Sequence, residues 1–316
     1  MSEYEGSTIL ITGGAGFIGS WLCEYLLNEG ASVVSVDNLS TGSWNNIRHL
    51  KNNINFMHIT KDVESKDIIS DLELMGFDYI FHFASLASPI DFPFFPIKIL
   101  DCNTIGTRNM LDLARRGDSV FVFASSSEVY GDPEITPVSE NYWGNCNPVG
   151  VRSCYDQGKR TGEAYCKAFQ KKYGVDTRIC RIFNTYGERM PKDGRVMPTF
   201  IDCALKNEPI TIFGNGEQTR CFLYVDDLIN GIITILSNPR TSGIPVNIGS
   251  VNEITINKLA EKIIEITDST SEVIYKDLPS DDPKQRKPDV SRIEKLGWQA
   301  FVDLDDGIRR VISTWK

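Results

Sequence analysis

The stretch ITGGAGFIGS, residues 11–20, limits this 316-residue chain to a narrow set of folds. Glycines stand at 14, 16 and 19, with a wider spacing from Gly13. They follow the apolar run TILIT (8–12) and open GFIGSWLCEYLLNEG (16–30), whose apolar residues recur at helical spacing and which stops on Gly30. A strand that turns through glycines into a helix presents free backbone N–H groups, and glycine lets that backbone approach a pyrophosphate. The next strand, SVVSVD (32–37), ends on Asp37, 18 residues beyond Gly19. A carboxylate there accepts from both ribose hydroxyls and repels a 2′-phosphate, which favours NAD over NADP. A glycine pattern alone also fits a turn that merely packs, and an acid at 37 also fits a surface turn. The order strand, loop, helix, strand is what points to a dinucleotide.

The alternation continues. NFMHI (55–59), DYIFHFA (78–84), VFVFAS (120–125) and TRICRIF (177–183) are short apolar strands separated by helical segments. Continuous apolar strands alternating with helices indicate a parallel sheet covered on both faces, the doubly wound α/β class. After about residue 184 turn-rich pieces (186–196, 213–218, 238–245) alternate with short strands and helices. This predicts a dinucleotide-binding domain over 1–183 and a smaller mixed α/β substrate domain over 184–316, closing over the carboxyl edge of the sheet. A segment near 222–250 is expected to return to the main sheet, with VNIGS (246–250) as its strand.

Composition narrows the partners. The net charge is −9 with no basic block, which argues against nucleic acid or an anionic membrane. The longest charge-free run near the middle, YIFHFASLASPI (79–90), is too short to span a bilayer, and no signal pattern precedes the first strand. Eight cysteines without a CxxC pair suggest reduced thiols in a cytoplasmic protein. Three scattered histidines leave little material for zinc, so no metal site is expected.

Two stretches carry chemistry. ASSSEVYG (124–131) ends an apolar strand in three serines and places Glu128 directly behind them, where a charge is costly. CYDQGKR (154–160) opens a helical segment with Tyr155 and Lys159 at i and i+4, on one face. A nearby ammonium stabilises phenoxide and lowers a tyrosine pKa from about 10 toward neutrality, making it a usable base. YxxxK alone also fits an ordinary amphipathic helix start. Its value comes from the upstream glycine loop and the hydroxyls of 125–127 between them.

With these motifs in place, the chain resembles the extended short-chain dehydrogenases/reductases, the nucleotide-sugar epimerases, dehydratases and decarboxylases, from ITGGAGFIGS to LGW (296–298). The resemblance implies that Tyr155 removes the proton of a sugar 4-hydroxyl while C4 gives hydride to NAD+. Lys159 would hold the nicotinamide ribose and depress the tyrosine pKa, and Ser126 would share the 4-oxygen. It further implies cofactor contacts from Gly13, Gly16, Phe17 and Ile18 in the loop and from Asp37, Asn38, Ser40, Thr41 and Gly42 after the second strand. Asp62 and Val63, Phe83, Ala84 and Ser85, Ala124 and Arg195 complete that set, with Tyr155 and Lys159. A homodimer through helices around 98–116 and 153–173 is also implied.

The members differ in the chemistry that comes after the 4-keto stage. The 4,6-dehydratases carry an Asp–Glu pair where this chain has Ser127 and Glu128, and epimerases carry small or hydroxyl residues there. Ser–Glu at this point is similar to the UDP-glucuronate decarboxylases (UDP-xylose synthases). So are HFASLASP (82–89), ENYWGNCNPVGVRSCYDQGKR (140–160), RIFNTYG (181–187), DGRV (193–196), QTRCF (218–222) and DDPKQRKPD (281–289). That resemblance implies oxidation of C4 of a UDP-glucuronate, loss of CO2 from the resulting β-keto acid, and return of hydride to C4. Glu128 would position or press on the sugar carboxylate, and Ser127 and Arg286 would assist decarboxylation or reprotonation at C5. Substrate contacts are implied for Glu128, Asn184, Arg220 and Arg286. Glu188 replaces the usual proline, which could alter a substrate-loop turn, and Ser126 replaces a common threonine. A 4-epimerase, a 4,6-dehydratase, a decarboxylase releasing a 4-keto pentose, and a non-enzymatic NAD-binding regulator are the alternatives.

Overall fold

The apolar segments of the first half do form parallel strands, because β-branched and aromatic runs buried on both faces have no solvent side to alternate with. The structure is a computed structural model in which residues 3–277 and 285–315 are described. Strands β1 (Thr8–Thr12), β2 (Ser32–Asp37), β3 (Phe56–Thr60), β4 (Tyr79–His82), β5 (Val120–Ser126) and β6 (Thr177–Ile182) belong to one sheet. Four short strands follow: β7 (Thr185–Tyr186), β8 (Ile210–Phe213), β9 (Thr219–Cys221) and β10 (Leu223–Tyr224). Then β11 (Pro245–Ile248) returns to the large sheet beside β6, giving seven parallel strands in the order β11-β6-β5-β4-β1-β2-β3. The reversal between β1 and β4 is the topological switch at which such sheets bind ligands.

Three strands remain: β12 (Glu253–Thr255), β13 (Val273–Lys276) and β14 (Gln285–Arg286). β12, β9 and β14 form a three-stranded sheet in which Arg286 lies opposite Arg220. β13 pairs with β8, and β10 with β7. Of the DDPKQRKPD match, residues 281–284 lie outside the described residues.

The helices are α1 (Phe17–Asn28), α2 (Ile68–Leu72), α3 (Pro96–Asp101), α4 (Thr107–Gly117), α5 (Ser153–Tyr173), α6 (Val196–Lys206), α7 (Val225–Leu236), α8 (Ile256–Thr267), α9 (Ser291–Glu294) and α10 (Leu304–Trp315). The helix expected around 98–116 is in fact α3 and α4 joined through a π-turn over Cys102–Gly106. β4 also stops two residues short of the expected 84. There the Phe83 and Ala84 amides bond the Thr12 carbonyl and hydroxyl, at 3.1 and 3.3 Å, as the chain passes the glycine loop.

α5 packs closely on the sheet because its buried face, at helical spacing, includes Gly158 and Gly162. A Cβ at Gly162 would stand 2.2 Å from the ring of Phe123 on β5. That close approach is what lets the Lys159 Nζ reach the Ala124 carbonyl, 2.9 Å away. Gly162→Val is therefore expected to overpack the core and to cost about 2–3 kcal/mol. A lowered urea midpoint measures it; an unchanged midpoint would mean that α5 does not depend on this contact.

Candidate active site

The glycine loop is shaped by backbone that tolerates no side chain. Gly13 has φ +71°, and a Cβ there would lie 2.7 Å from backbone atoms of Phe83 and Ala84. At Gly19 a Cβ would lie 2.1 Å from the Gly13 carbonyl oxygen. Gly16 stands at the N-cap of α1 without a side-chain cap, so the first-turn amides face outward, and Phe17 and Ile18 anchor that turn on the core. Asp37 is buried; its carboxylate accepts from the amides of Ala15 (3.1 Å) and Leu39 (2.8 Å). Burial, resisted by these amides, holds its pKa above the ordinary aspartate value. Gly42 folds back against the same carboxylate.

Asn38 donates to Asp62, which also receives Lys98 at 3.0 Å, and Ser40 bonds Asn38. The Val63 carbonyl takes Asn109 at 2.9 Å, and Ser85 donates to Asn103 at 3.0 Å. Thr41 is exposed on the same rim. Residues named from separate parts of the sequence thus meet around the carboxyl ends of β1, β2, β3 and β4, and the cradle of uncrowdable glycines, outward amides and a ribose-height carboxylate suits NAD.

The second cluster forms where β5 ends. Ser126 caps the short turn Ser127–Tyr130, its Oγ accepting the Glu128 amide at 3.3 Å. Tyr155 enters from the first turn of α5, stacked on Phe92 with centroids 5.3 Å apart, and the Ser126 hydroxyl lies near enough to favour its phenoxide. Lys159 lies one turn on, its Nζ 5.5 Å from the Tyr155 ring centroid. The expectation that Lys159 draws the tyrosine pKa down does not hold for the protein by itself. Burial raises Tyr155 well above the usual phenol value, with Ser126 and Arg195 opposing it. Burial also brings Lys159 down to about 8.

Glu128 is buried, with Arg286 bidentate on it (Nη1–Oε1 2.5 Å, Nη2–Oε2 2.9 Å) and Arg152 on Oε2 at 2.7 Å. Burial alone would raise its pKa; the two guanidinium groups outweigh that and leave it lowered. Ser127 is buried beside it. Arg152 was absent from the sequence-derived set, and so was its helix neighbour Asp156, which is buried with Oδ1 lacking a hydrogen-bond partner among the described residues. The legible signal was RSCYD, an arginine and an acid flanking the tyrosine by −3 and +1.

The remaining named residues stand at the edge of this cluster. Arg220 is buried on β9 beside Arg286, and its Nη1 donates to the Thr219 carbonyl at 2.9 Å. Asn184 is half-buried, its carbonyl accepting the Leu223 amide at 2.9 Å. Arg195 makes a two-bond pair with Asp193, at 2.9 and 2.8 Å. Glu188 accepts the Tyr224 hydroxyl at 2.7 Å, and its carbonyl takes Trp21, so the departure from proline is absorbed by a new carboxylate–phenol bond.

A glycine loop at a switch point beside a Ser–Tyr–Lys set suits an NAD-dependent short-chain dehydrogenase/reductase of the extended kind. The chain belongs to the NAD dependent epimerase/dehydratase family, whose profile matches residues 9–249. It is 45% identical to UDP-glucuronic acid decarboxylase 1 of Xenopus tropicalis, over 100% of this chain and 74% of that protein. It is likewise 45% identical to UDP-glucuronic acid decarboxylase 3 of Arabidopsis thaliana, over 95% of this chain and 86% of the other. Among solved structures, a UDP-glucose 4-epimerase of Thermotoga maritima superposes with TM-score 0.90 at 28% identity, covering 98% of each chain. A UDP-glucuronic acid 4-epimerase of Bacillus cereus, solved with UDP-glucuronic acid and NAD, gives TM-score 0.89 at 28% identity over 98% of this chain and 100% of that one.

Glu128→Ala would leave two buried guanidinium groups facing each other without their anion, and is expected to cost about 3–5 kcal/mol. Chemical denaturation against the wild type measures this; a loss below about 1 kcal/mol would mean the arginines find other partners.

Proposed function

We propose that the protein decarboxylates UDP-glucuronate to UDP-xylose. The observation that carries the reading is Glu128 held between Arg286 and Arg152 in the same turn as Ser126. Two arginines against one carboxylate leave a positive balance where a sugar C6 would meet the Ser–Tyr pair, and guanidinium suits carboxylate recognition. The 41–45% identity to decarboxylases across nearly the whole chain supports the same reading.

In this reading the glycine loop, with Gly13, Gly16, Phe17 and Ile18, holds the pyrophosphate of NAD. Asp37, Asn38, Ser40, Thr41 and Gly42 serve the adenosine ribose, and Asp62 and Val63 the adenine. Phe83, Ala84, Ser85, Ala124 and Arg195 line the path to the nicotinamide. Bound NAD+ supplies a hydride acceptor at C4 and, later, the same hydride as a donor. Tyr155, with Ser126 on the 4-oxygen and Lys159 beneath its ring, takes the 4-hydroxyl proton. The ketone formed is β to the C6 carboxylate, so the C5–C6 bond breaks with its electrons passing into an enolate, and CO2 leaves. C5 then takes one proton. Arg286 and Arg152 hold the departing carboxylate out of water, Glu128 keeps both guanidinium groups in place, and Ser127, buried next to Glu128, assists at C5. Arg220 and Asn184 face the diphosphate and sugar.

We infer further that the 1–183 portion, with the segment returning to the sheet near 222–250, is the NAD-binding domain and that 184–316 mainly serves the nucleotide sugar. A homodimer through the 98–116 helices (α3, the π-turn and α4) and α5 is supported by a surface groove, between the π-turn, α4 and α5, that includes Ile105, Tyr165, Phe169 and Tyr173. All eight cysteines are free, which supports a reducing, cytoplasmic setting, and no helix among the described residues is long and apolar enough to cross a membrane.

Incubation with UDP-glucuronate and NAD+, followed by proton NMR and CO2 detection, tests the function. UDP-xylose with CO2 and no net NADH is expected. CO2 with accumulating NADH indicates a 4-keto pentose, and a changed uronate without CO2 indicates a 4-epimerase. Tyr155→Phe is expected to lower kcat by about 10²–10⁴; unchanged turnover would remove Tyr155 as the base. Ser127→Asp is expected to impair CO2 release by setting a second carboxylate beside Glu128, and full activity would contradict that. By light scattering the chain should run at about 71 kDa, twice its 35.5 kDa. Ile105→Glu should return it to the monomer mass, and an unaltered dimer would place the interface elsewhere.

A further inference from the structure

We propose that Phe92 is a positioning residue for the reaction: its ring fixes the phenol of Tyr155 and, on the same helix face, the guanidinium of Arg152. The inference rests on the reading above, in which Tyr155 takes the 4-hydroxyl proton, and extends it to a residue of another loop. The stretch DFPFF (91–95) puts three phenylalanines in the connection between β4 and α3. Phe94 and Phe95 are 73% and 52% exposed, as loop side chains often are, whereas Phe92 is 2% exposed. It joins Leu86, Ile99, Cys154 and Tyr155 in a small apolar cluster apart from the two large cores.

Within that cluster the Phe92 ring stacks on Tyr155 with its plane 17° from parallel, and the Arg152 Cζ lies 5.6 Å from the Phe92 centroid. One ring reaches both because Arg152, at the N-cap of α5, and Tyr155 are three residues apart on one helix face. A near-parallel ring pair has a preferred geometry that an aliphatic contact lacks, and a guanidinium over a ring face is held by the ring's quadrupole. Stacking limits rotation of the Tyr155 ring about its side-chain bonds. The Lys159 Nζ stands 5.5 Å from the same phenol ring. Proton transfer needs the phenol oxygen within hydrogen-bond reach of the sugar hydroxyl, and a displacement of about 1 Å costs on the order of 100-fold.

The turn that carries Phe92 is itself anchored. The Asp91 amide bonds the Ser88 carbonyl at 3.0 Å and the Phe95 amide bonds the Asp91 carbonyl at 2.9 Å, so the backbone is closed on both sides of Phe92. Pro93 restricts the Phe92 backbone further. The buried Ser88 donates its hydroxyl to the Asp193 carbonyl at 3.0 Å. Ile90 lies so close to Gly194, at φ +81°, that a Cβ there would stand 2.0 Å from its Cδ1. The ring against Tyr155 is therefore tied to the stretch that leads into Arg195 and α6.

The test compares Phe92→Leu, Phe92→Met and Phe92→Tyr as NAD-loaded proteins, with UDP-glucuronate turnover followed by proton NMR and the fold by melting temperature. Leu and Met stay apolar and fill much of the volume but lack a flat face, whereas Tyr keeps the ring. Leu and Met should lower kcat on the order of 10- to 100-fold with KM changed by less than about threefold. Tyr should bring kcat back to within about threefold of the wild type. A side chain that only fills space would lower the melting temperature and leave the kcat of the folded molecules unchanged. A kcat within about twofold of wild type in the Leu and Met variants, or a loss in kcat/KM carried by KM alone, overturns the proposal. So does an equal loss in Phe92→Tyr, or failure of both the Leu and the Met variants to fold. C4 oxidation precedes CO2 loss, so wild-type turnover to a 4-epimer without CO2 fails the decarboxylase reading and still reports on Phe92. A wild type that transfers no hydride overturns both.

Discussion

Glu128 is buried at the carboxyl end of β5 with its two oxygens shared between Arg286 and Arg152, and the placement of the candidate catalytic groups depends on that arrangement. Taking three charges out of water is expensive, and it is tolerated only where geometry is good and the hydrogen bonds are filled. Here the carboxylate meets the requirement with a two-bond contact to one arginine and a third bond to the other. Because Arg286 comes from β14 and Arg152 from the start of α5, the cluster ties the chain after residue 184 to the large sheet. The same turn carries Ser126, so the hydroxyl and the carboxylate are set by one piece of backbone.

A second polar network behind the cluster, with its own Arg181–Glu163 ion pair, fixes the other side. The Tyr130 hydroxyl donates to Asn247 at 2.7 Å and accepts from Arg181, which is itself forked onto Glu163. Asn247 in turn donates to the carbonyls of Val138 and Asp289. Val138 bridges Pro288, two residues beyond Arg286. The returning strand β11, which supplies Asn247, therefore holds the segment that delivers Arg286. A buried polar network of this kind specifies one arrangement because any broken member leaves an unpaired group.

Much of this was legible in the linear order of residues. The glycine loop, Asp37, the strand–helix alternation and the Tyr155–Lys159 spacing each rest on local geometry, and the structure keeps all four. Glu128 stood out because a charge behind an apolar strand needs a partner, but its partners did not stand out: Arg286 is 158 residues away. Arg152 and Asp156 were hidden for another reason. At −3 and +1 from the tyrosine they read as ordinary first-turn helix residues, and only the burial of that turn against β5 and β14 gives them chemical weight. The expected lowering of the tyrosine pKa failed on the same point, since proximity to an ammonium is visible in a spacing and desolvation is not.

What the sequence determined by itself is the set of local conformations and the chemistry each can offer: strands from β-branched and aromatic runs, a left-handed turn at Gly13, a phenol and an ammonium on one helical face. Tertiary structure alone decided which charges meet and how dry they are. The seven-strand order brings the ends of β1, β4 and β5 together, Gly158 and Gly162 let α5 settle onto the sheet, and β14 carries Arg286 across to β5. Electrostatic strength depends on burial and on partners distant in sequence, and neither exists until the chain has packed.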